Sequence, residues 1–123
     1  MNGNKLFLDT NIILYMLQGD ETLTELLNNK QFYISFITQL ELLSFPGLTK
    51  KDISIIERLL SECVIIDINS EIKATTTNLR REFKLKLPDC IIAATSLYLD
   101  LPLITADDDF KKVEDLNLLF YKK

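Results

Sequence analysis

The sequence predicts a single α/β domain with a mainly parallel sheet of about five strands. Short apolar stretches with strand character alternate with stretches of helical spacing, which is typical of β-α-β units. The 123 residues are close to the commonest domain size, and no long loop or low-complexity tract interrupts them. We therefore expect one hydrophobic core over residues 1–123 and no second domain.

Helix caps and breakers divide the first half of the chain. Gly19 ends the first helix, Asp20 is a good cap for the second, and Pro46-Gly47 stops the third. Thr49 opens a fourth helix with apolar residues at helical spacing, and the aromatic stretch F-Y-I-S-F favours a strand. The elements predicted in this half are strands 5–8 and 32–36 and helices 10–17, 20–29, 37–45 and 49–60.

The second half continues the same alternation. Ser70 is the predicted cap of a long helix, and Pro88 with Asp89 suits the start of another. The first turns of the helix that starts at Pro88 read D-C-I-I-A-A-T-S, which is small and apolar on almost every side. We therefore expect this helix to be deeply buried. The elements predicted here are strands 64–68, 102–105 and 118–121 and helices 70–83, 88–98 and 107–112.

The composition excludes several kinds of site. Histidine is absent, so Ser-His-Asp catalysis, Cys-His catalysis and H-E-x-x-H zinc sites are excluded. Cys63 and Cys90 lie in apolar stretches without a C-x-x-C motif and are expected to be reduced core thiols. No apolar run approaches the roughly 20 residues that span a bilayer, and the first residues lack a signal-peptide pattern. We therefore expect a cytoplasmic protein without a membrane partner.

The net charge of −4 does not by itself favour nucleic-acid binding, because Lys and Arg usually supply the contacts to phosphate. The distribution of charge is less uniform than the sum. Arg80, Arg81, Lys84 and Lys86 form a basic cluster just before the buried helix. This cluster is either a solvated helix face or a surface for an anionic partner, and the sequence leaves both interpretations open.

Four carboxylates occupy unusual positions. Asp9 ends the first strand, Asp107 closely follows the fourth, Asp89 begins the buried helix and Glu41 lies in the short apolar helix after the second strand. Taken singly, the aspartates are compatible with helix caps and first-turn residues. Glu41 is harder to explain, because no Lys or Arg lies within a helical turn of it and a buried charge needs a partner. A cation from outside the chain would meet that need.

The predicted sheet would bring these acids together. Ligands of parallel sheets bind beyond the carboxyl ends of the strands, where Asp9, Asp107 and Asp89 are expected to face one crevice that Glu41 could join. Four carboxylates without basic partners repel one another unless they hold divalent metal. Oxygen-only ligation favours Mg²⁺ or Mn²⁺ over Zn²⁺. Such a site suits phosphodiester hydrolysis.

Four motifs, in order, resemble the PIN-domain ribonucleases. They are L-D-T-N-I, Q-L-E-L-L, L-P-D-C-I-I-A-A-T-S and L-I-T-A-D-D-D-F. The nearest resemblance is to the small bacterial and archaeal PIN toxins of type II toxin–antitoxin pairs. It implies a three-layer α/β/α sandwich around the sheet, Mg²⁺- or Mn²⁺-dependent endonuclease cleavage of RNA, a cognate antitoxin and a homodimer.

The resemblance also implies roles for individual residues. Asp9, Glu41, Asp89 and Asp107 would be the catalytic acids that bind metal. Asn11 and Thr105 would support them by hydrogen bonding, and Asp109 would either touch the site or only cap the short helix. The basic cluster of Arg80, Arg81, Lys84 and Lys86 would form a rim that binds RNA.

Three other functions are compatible with parts of the pattern. A phospho-accepting receiver domain is also a small α/β protein with clustered acids, although Asp67 is a poor match for its phosphorylated residue. A PIN-like fold can serve only as a binding or scaffold module, but such proteins usually lose one or more acids. A PIN-like nuclease can also act on DNA, whose phosphates resemble those of RNA.

Overall fold

Five parallel strands form the centre of the structure, a computed structural model that describes residues 3–122. The strands are β1 (Lys5–Leu8), β2 (Gln31–Ser35), β3 (Cys63–Ile66), β4 (Leu103–Thr105) and β5 (Leu118–Phe120). The α-helices are α1 (Thr10–Leu17), α2 (Glu21–Leu26), α3 (Phe36–Leu43), α4 (Lys50–Ser61), α5 (Ser70–Glu82) and α6 (Leu87–Leu99), and a 3₁₀ turn covers Asp108–Lys112. The predicted α/β domain is confirmed.

The sheet separates two layers of helices, as the three-layer prediction requires. Successive side chains of a strand point to opposite faces, so Phe7 packs into one buried cluster while Leu6 and Leu8 pack into the other. Helices α5 and α6 contribute to the cluster around Phe7. Helices α1 to α4 contribute to the cluster around Leu8.

The strand order makes β4 a neighbour of the central strand β1. It runs β3-β2-β1-β4-β5, and all four neighbouring pairs are parallel. The chain builds outward from β1 through β2 to β3 and then returns to the other side of β1, so the topological switch point lies between β1 and β4. Receiver domains have the order 2-1-3-4-5, and the receiver interpretation is therefore wrong.

Helix α6 is the buried helix that the sequence predicts. Every residue from 90 to 96 is buried, and the hydroxyl of Thr95 donates to the carbonyl of Ile91 at 2.7 Å. Cys90 is a free, fully buried thiol, whereas the free thiol of Cys63 is only half-buried at the edge strand β3. Within residues 3–122, no helix is both long and apolar enough to cross a membrane.

The ends of the elements differ from the predictions by one to three residues. Asn69, not Ser70, caps α5, because its side chain accepts from the backbone N–H of Ile72 at 2.8 Å. Helix α2 ends at Leu26 rather than near residue 29, where Asn29 has a positive φ of 65°. Ser35 caps α3 with a bond to the N–H of Ile37, so residue 36 belongs to the helix and not to the strand.

Candidate active site

Asp9 is both a helix cap and a buried acid at the switch point. It directly follows β1, and its backbone N–H donates to the carbonyl of Ile104 on β4 at 3.0 Å. One carboxylate oxygen accepts from the N–H of Thr10 at 2.7 Å and the other accepts from the hydroxyl of Thr105 at 2.7 Å. The residue is 4% exposed. Its side chain is therefore held in one orientation by both neighbouring elements.

Thr105 connects the acids that follow β1 and β4. Its fully buried hydroxyl donates to Asp9 and accepts from the backbone N–H of Asp107 at 3.0 Å. Asp107 caps the 3₁₀ turn by accepting from the N–H of Asp109 at 2.9 Å. The residue predicted to support the site thus contacts two of its acids.

Glu41 has a partner inside the chain, which the sequence prediction did not foresee. The hydroxyl of Thr10 donates to its carboxylate at 2.7 Å. The hydroxyl oxygens of Thr10 and Thr38 are 2.9 Å apart, and because the single proton of Thr10 is used on Glu41, Thr38 must be the donor. An external cation is therefore not needed to satisfy this oxygen, although the contact leaves the negative charge uncompensated.

Asp89 is placed by the start of α6. It lies in the first helical turn directly after Pro88 and is half-buried. A carboxylate at this position faces the positive end of the helix dipole. Helix α6 begins at Leu87, and its flanking residue Lys86 provides no side-chain cap.

One cleft of about 470 Å³ contains all four predicted acids. Asn11 also lines it, as does Lys86, which is the one cation among the described lining residues. Among residues 3–122, the lining is Asp9, Thr10, Asn11, Leu14, Glu41, Ser44, Phe45, Lys86, Pro88, Asp89 and Asp107.

The electrostatics of the cleft favour protonation of two of the acids. Burial raises the pKa of Asp9 to about 6, against the lowering effect of the bonds from Thr105 and Thr10. Burial, together with the charges of Asp9, Asp107 and Glu41, raises the pKa of Asp89 to about 6 against the lowering effect of Lys86. Over residues 3–122, none of the four acids forms a salt bridge. The cleft therefore carries negative charge that Lys86 offsets only in part.

The acids do not form a finished metal site. In the described part of the chain, no group of three or more Asp, Glu or Cys side chains is arranged to hold a metal ion. The donors that face the cleft are nevertheless all oxygen atoms, which suit Mg²⁺, Mn²⁺ or Ca²⁺ better than Zn²⁺. The chemistry of the donor set and the uncompensated charge both fit a divalent ion.

Asp109 and the basic cluster lie outside the cleft, except for Lys86. The side chain of Asp109 is exposed, lies 3.6 Å from the ammonium of Lys112 and does not line the cleft. Arg80, Arg81 and Lys84 line a neighbouring surface depression together with Lys86. Lys86 therefore belongs to both surfaces and connects the basic depression to the acidic cleft.

Several site residues are absent from the sequence predictions. Thr10 donates its backbone N–H to Asp9 and its hydroxyl to Glu41, Thr38 contacts the hydroxyl of Thr10, and Phe45 lines the cleft. The sequence gives no signal for these threonines, because Thr10 is 28 residues from Thr38 and 31 residues from Glu41 along the chain. The sequence gives a local signal for Phe45, since a large aromatic residue directly before the helix breakers Pro46 and Gly47 is expected in a turn and not in the core.

The chain is similar to known proteins over almost its whole length. It is 30% identical to Ribonuclease VapC2 of Methanocaldococcus jannaschii, over 97% of this chain and 95% of that relative. Its fold matches a toxin–antitoxin complex from Klebsiella pneumoniae with a TM-score of 0.80 and 32% identity, over 93% of this chain and 95% of that chain.

A second solved structure, VapBC-1 from nontypeable Haemophilus influenzae, matches with a TM-score of 0.80 and 28% identity. The match covers 97% of this chain and 99% of that one. VapBC2 from Rickettsia felis, bound to a DNA fragment from its promoter, shares the fold with a TM-score of 0.85 at 23% identity, over 96% of this chain and 99% of that chain. Residues 6–116 match the PIN domain. The chain therefore belongs to the PIN domain family.

Proposed function

We propose that this chain is a metal-dependent endoribonuclease that hydrolyses RNA phosphodiester bonds and acts as the toxin of a type II toxin–antitoxin pair. The observation that carries the proposal is the convergence of Asp9, Glu41, Asp89 and Asp107 on one cleft without a salt-bridge partner among residues 3–122. The similarity to a relative named as a ribonuclease supports RNA as the substrate.

Mg²⁺ or Mn²⁺ is the proposed cofactor. Asp9, Asp89 and Asp107 would hold it, and Glu41 would complete that set or hold a second, weaker ion. Because these acids are not preassembled, the less constrained side chains would have to turn toward Asp9, whose two oxygens are already fixed. When bound, a divalent ion supplies Lewis acidity and compensates negative charge on the phosphate.

The chain's own residues orient the site and the substrate. Thr105 keeps the carboxylate of Asp9 beside the turn that carries Asp107, and Thr10 restrains Glu41. Asp9 and Asp89 must both be ionised to serve as ligands, and because their pKa values are about 6 in the metal-free chain, a bound ion would have to displace protons from them below that pH. Asn11, which lines the cleft, is proposed as a hydrogen-bonding support.

The basic depression is the proposed path of the RNA backbone. Arg80, Arg81, Lys84 and Lys86 line it next to the acids. Cationic side chains bind phosphates without reading sequence, and Lys86 would hold the phosphate nearest the cleft. Asp109 is paired with Lys112 and is proposed as a support of the short 3₁₀ turn.

The proposed partners follow from the relatives. The similar structure from Klebsiella pneumoniae is a toxin–antitoxin complex, and the one from Haemophilus influenzae is VapBC-1. We propose that this chain likewise binds a cognate antitoxin and forms a homodimer. As a ribonuclease of cellular RNA it would act in the cytoplasm.

The decisive experiment is a cleavage assay on single-stranded and structured RNA with Mn²⁺ or Mg²⁺. Wild type is expected to cut in the presence of metal and to stop when EDTA is added. Asp9→Asn is expected to reduce cleavage to background, because it removes one negative ligand and keeps the size of the side chain. Asp115→Asn is the matched control, since Asp115 is an exposed acid outside the cleft.

Three results would contradict the proposal. Cleavage that survives Asp9→Asn or EDTA would identify a contaminating nuclease. Metal binding without cleavage of any substrate would support the scaffold alternative. Cleavage of DNA in preference to RNA would support the DNA-directed alternative, so the assay includes matched DNA strands.

A further inference from the structure

Phe45 is a large aromatic side chain that the hydrophobic core does not use. It lies in the turn between α3 and α4 and is 44% exposed. It belongs to neither of the two buried clusters, nor to the partly buried side chains packed against them. Among residues 3–122, the recorded ring–ring and cation–ring contacts involve other aromatic residues. The exposed part of Phe45 is therefore not covered by an aromatic or cationic partner among these residues.

The position of Phe45 links it to the acidic cleft. Its side chain lines the same cleft as the four acids. Pro46 follows it, and the proline ring disfavours a helical backbone at the preceding residue. Gly47 then continues the turn with a φ of +84°. The aromatic ring is thus presented beside the acids from a turn whose backbone is restricted.

We propose that Phe45 is a stacking platform for an unpaired base next to the phosphate that is cut. The proposal rests on the proposed function, since it requires a nucleic acid in the cleft. The bases of a duplex are stacked inside the helix, whereas unpaired bases can stack on aromatic side chains.

The charge of the cleft explains why such a contact is needed. Four acids line the cleft, and Lys86 is the one cation among the described residues that line it. The chain alone therefore attracts phosphates only weakly there. Stacking on Phe45 does not depend on charge and would offset that deficit. A protein segment is the other occupant for an exposed Phe, and in that case Phe45→Ala would leave the affinity for RNA unchanged.

The test measures RNA binding in an Asp107→Asn background, so that the strand is not cut. Anisotropy of a short labelled single-stranded RNA is compared with that of the same strand carrying abasic sites at its central positions. Phe45→Ala is expected to weaken binding of the intact strand about tenfold, which corresponds to about 1.4 kcal/mol and lies in the range for base–aromatic stacking. Its binding of the abasic strand should not change, and Phe45→Trp should restore binding of the intact strand.

Tyr98→Ala is the matched control, because Tyr98 is also an aromatic residue with 44% exposure but does not line the cleft. It should leave both affinities unchanged, and circular dichroism should show that every variant is folded. Equal losses for intact and abasic strands, no loss with Phe45→Ala, or tighter binding of duplex than of single strand would each overturn the inference. Failure of the proposed function is recognised separately, as absence of metal-dependent cleavage by wild type.

Discussion

The hydroxyl of Thr105 occupies a position at which one atom serves two acids. It has a single proton, which it donates to Asp9, and its lone pair accepts from the N–H of Asp107. Since Thr105 is fully buried, water cannot replace either bond. The hydroxyl therefore orients Asp9 together with the N–H of Thr10, and it links the turns that follow β1 and β4.

Replacement of Thr105 by valine tests this role with almost no change in shape. Thr105→Val removes the bond that lowers the pKa of Asp9, so that pKa should rise above about 6. The acid limb of the pH–rate profile for metal-dependent cleavage is expected to move to higher pH. The free energy of unfolding should fall by about 1–3 kcal/mol, because a buried acceptor is left unsatisfied. Urea unfolding measures this second effect.

Thr105→Ser is the control for that substitution, because it keeps the hydroxyl and loses only a methyl group. It should retain the wild-type pH profile. Identical profiles for the valine and serine variants would show that the hydroxyl does not set the ionisation of Asp9.

Individual acids could be predicted from the sequence, but their partners could not. Asp9, Asp89 and Asp107 stand next to predicted element ends, and Glu41 is unusual in an apolar helix. All four line the cleft. Thr10 is an ordinary residue until the fold brings it to Thr38 and Glu41, so the sequence indicated an unpartnered charge where a hydrogen-bonded one exists.

The start of α5 shows how local chemistry determines the end of an element. Asn69 and Ser70 are both residue types that cap helices well, so the sequence alone does not choose between them. The side chain of Asn69 accepts from the N–H of Ile72, and Ser70 is the first residue of the helix. Capping depends on the backbone angles at one residue, and these depend on how the chain leaves β3.

Substitution of the two residues gives a direct comparison. Asn69→Ala is expected to lower the free energy of unfolding by about 1 kcal/mol, since it leaves an N–H of the first turn without its acceptor. Ser70→Ala should change it by less than about 0.5 kcal/mol, because Ser70 is exposed and makes no capping bond. Urea unfolding of both variants measures these values. A larger loss at Ser70 than at Asn69 would contradict the observed cap.

The order of the strands is the feature of the whole molecule that could not be predicted from the sequence pattern. Alternating strands and helices predict a parallel sheet, but they are compatible with several doubly wound orders. The order β3-β2-β1-β4-β5 makes β1 and β4 neighbours. Asp9 and Asp107 therefore meet although 98 positions separate them along the chain. The rule that ligands bind beyond the carboxyl ends of parallel strands predicted that the acids converge. The strand order explains how Asp9 and Asp107 come to lie in the same cleft.

The cleft should make the metal-free domain less stable as the pH rises. The pKa of Asp89 is about 6 in the folded chain against an ordinary value of 3.8, so between these values the folded state binds more protons than the unfolded state. The linkage relation then requires the free energy of unfolding to fall as pH rises through this window. Asp89→Asn should therefore stabilise the metal-free domain at pH 7 by about 1 kcal/mol, a value reduced for solvent screening of this half-exposed group, and should have no effect at pH 4.

Urea unfolding in EDTA at both pH values measures this difference, and Asp115→Asn serves as the exposed-acid control. Mn²⁺ should reverse the order of stability at pH 7, because an ion that binds only the folded state stabilises wild type and loses a ligand in Asp89→Asn. Equal effects of Asp89→Asn at pH 4 and pH 7 would show that neither burial nor the neighbouring carboxylates penalise the charge of Asp89 in the cleft. An absence of stabilisation by Mn²⁺ would instead contradict the proposed metal site, because a bound ion would have to stabilise the folded state.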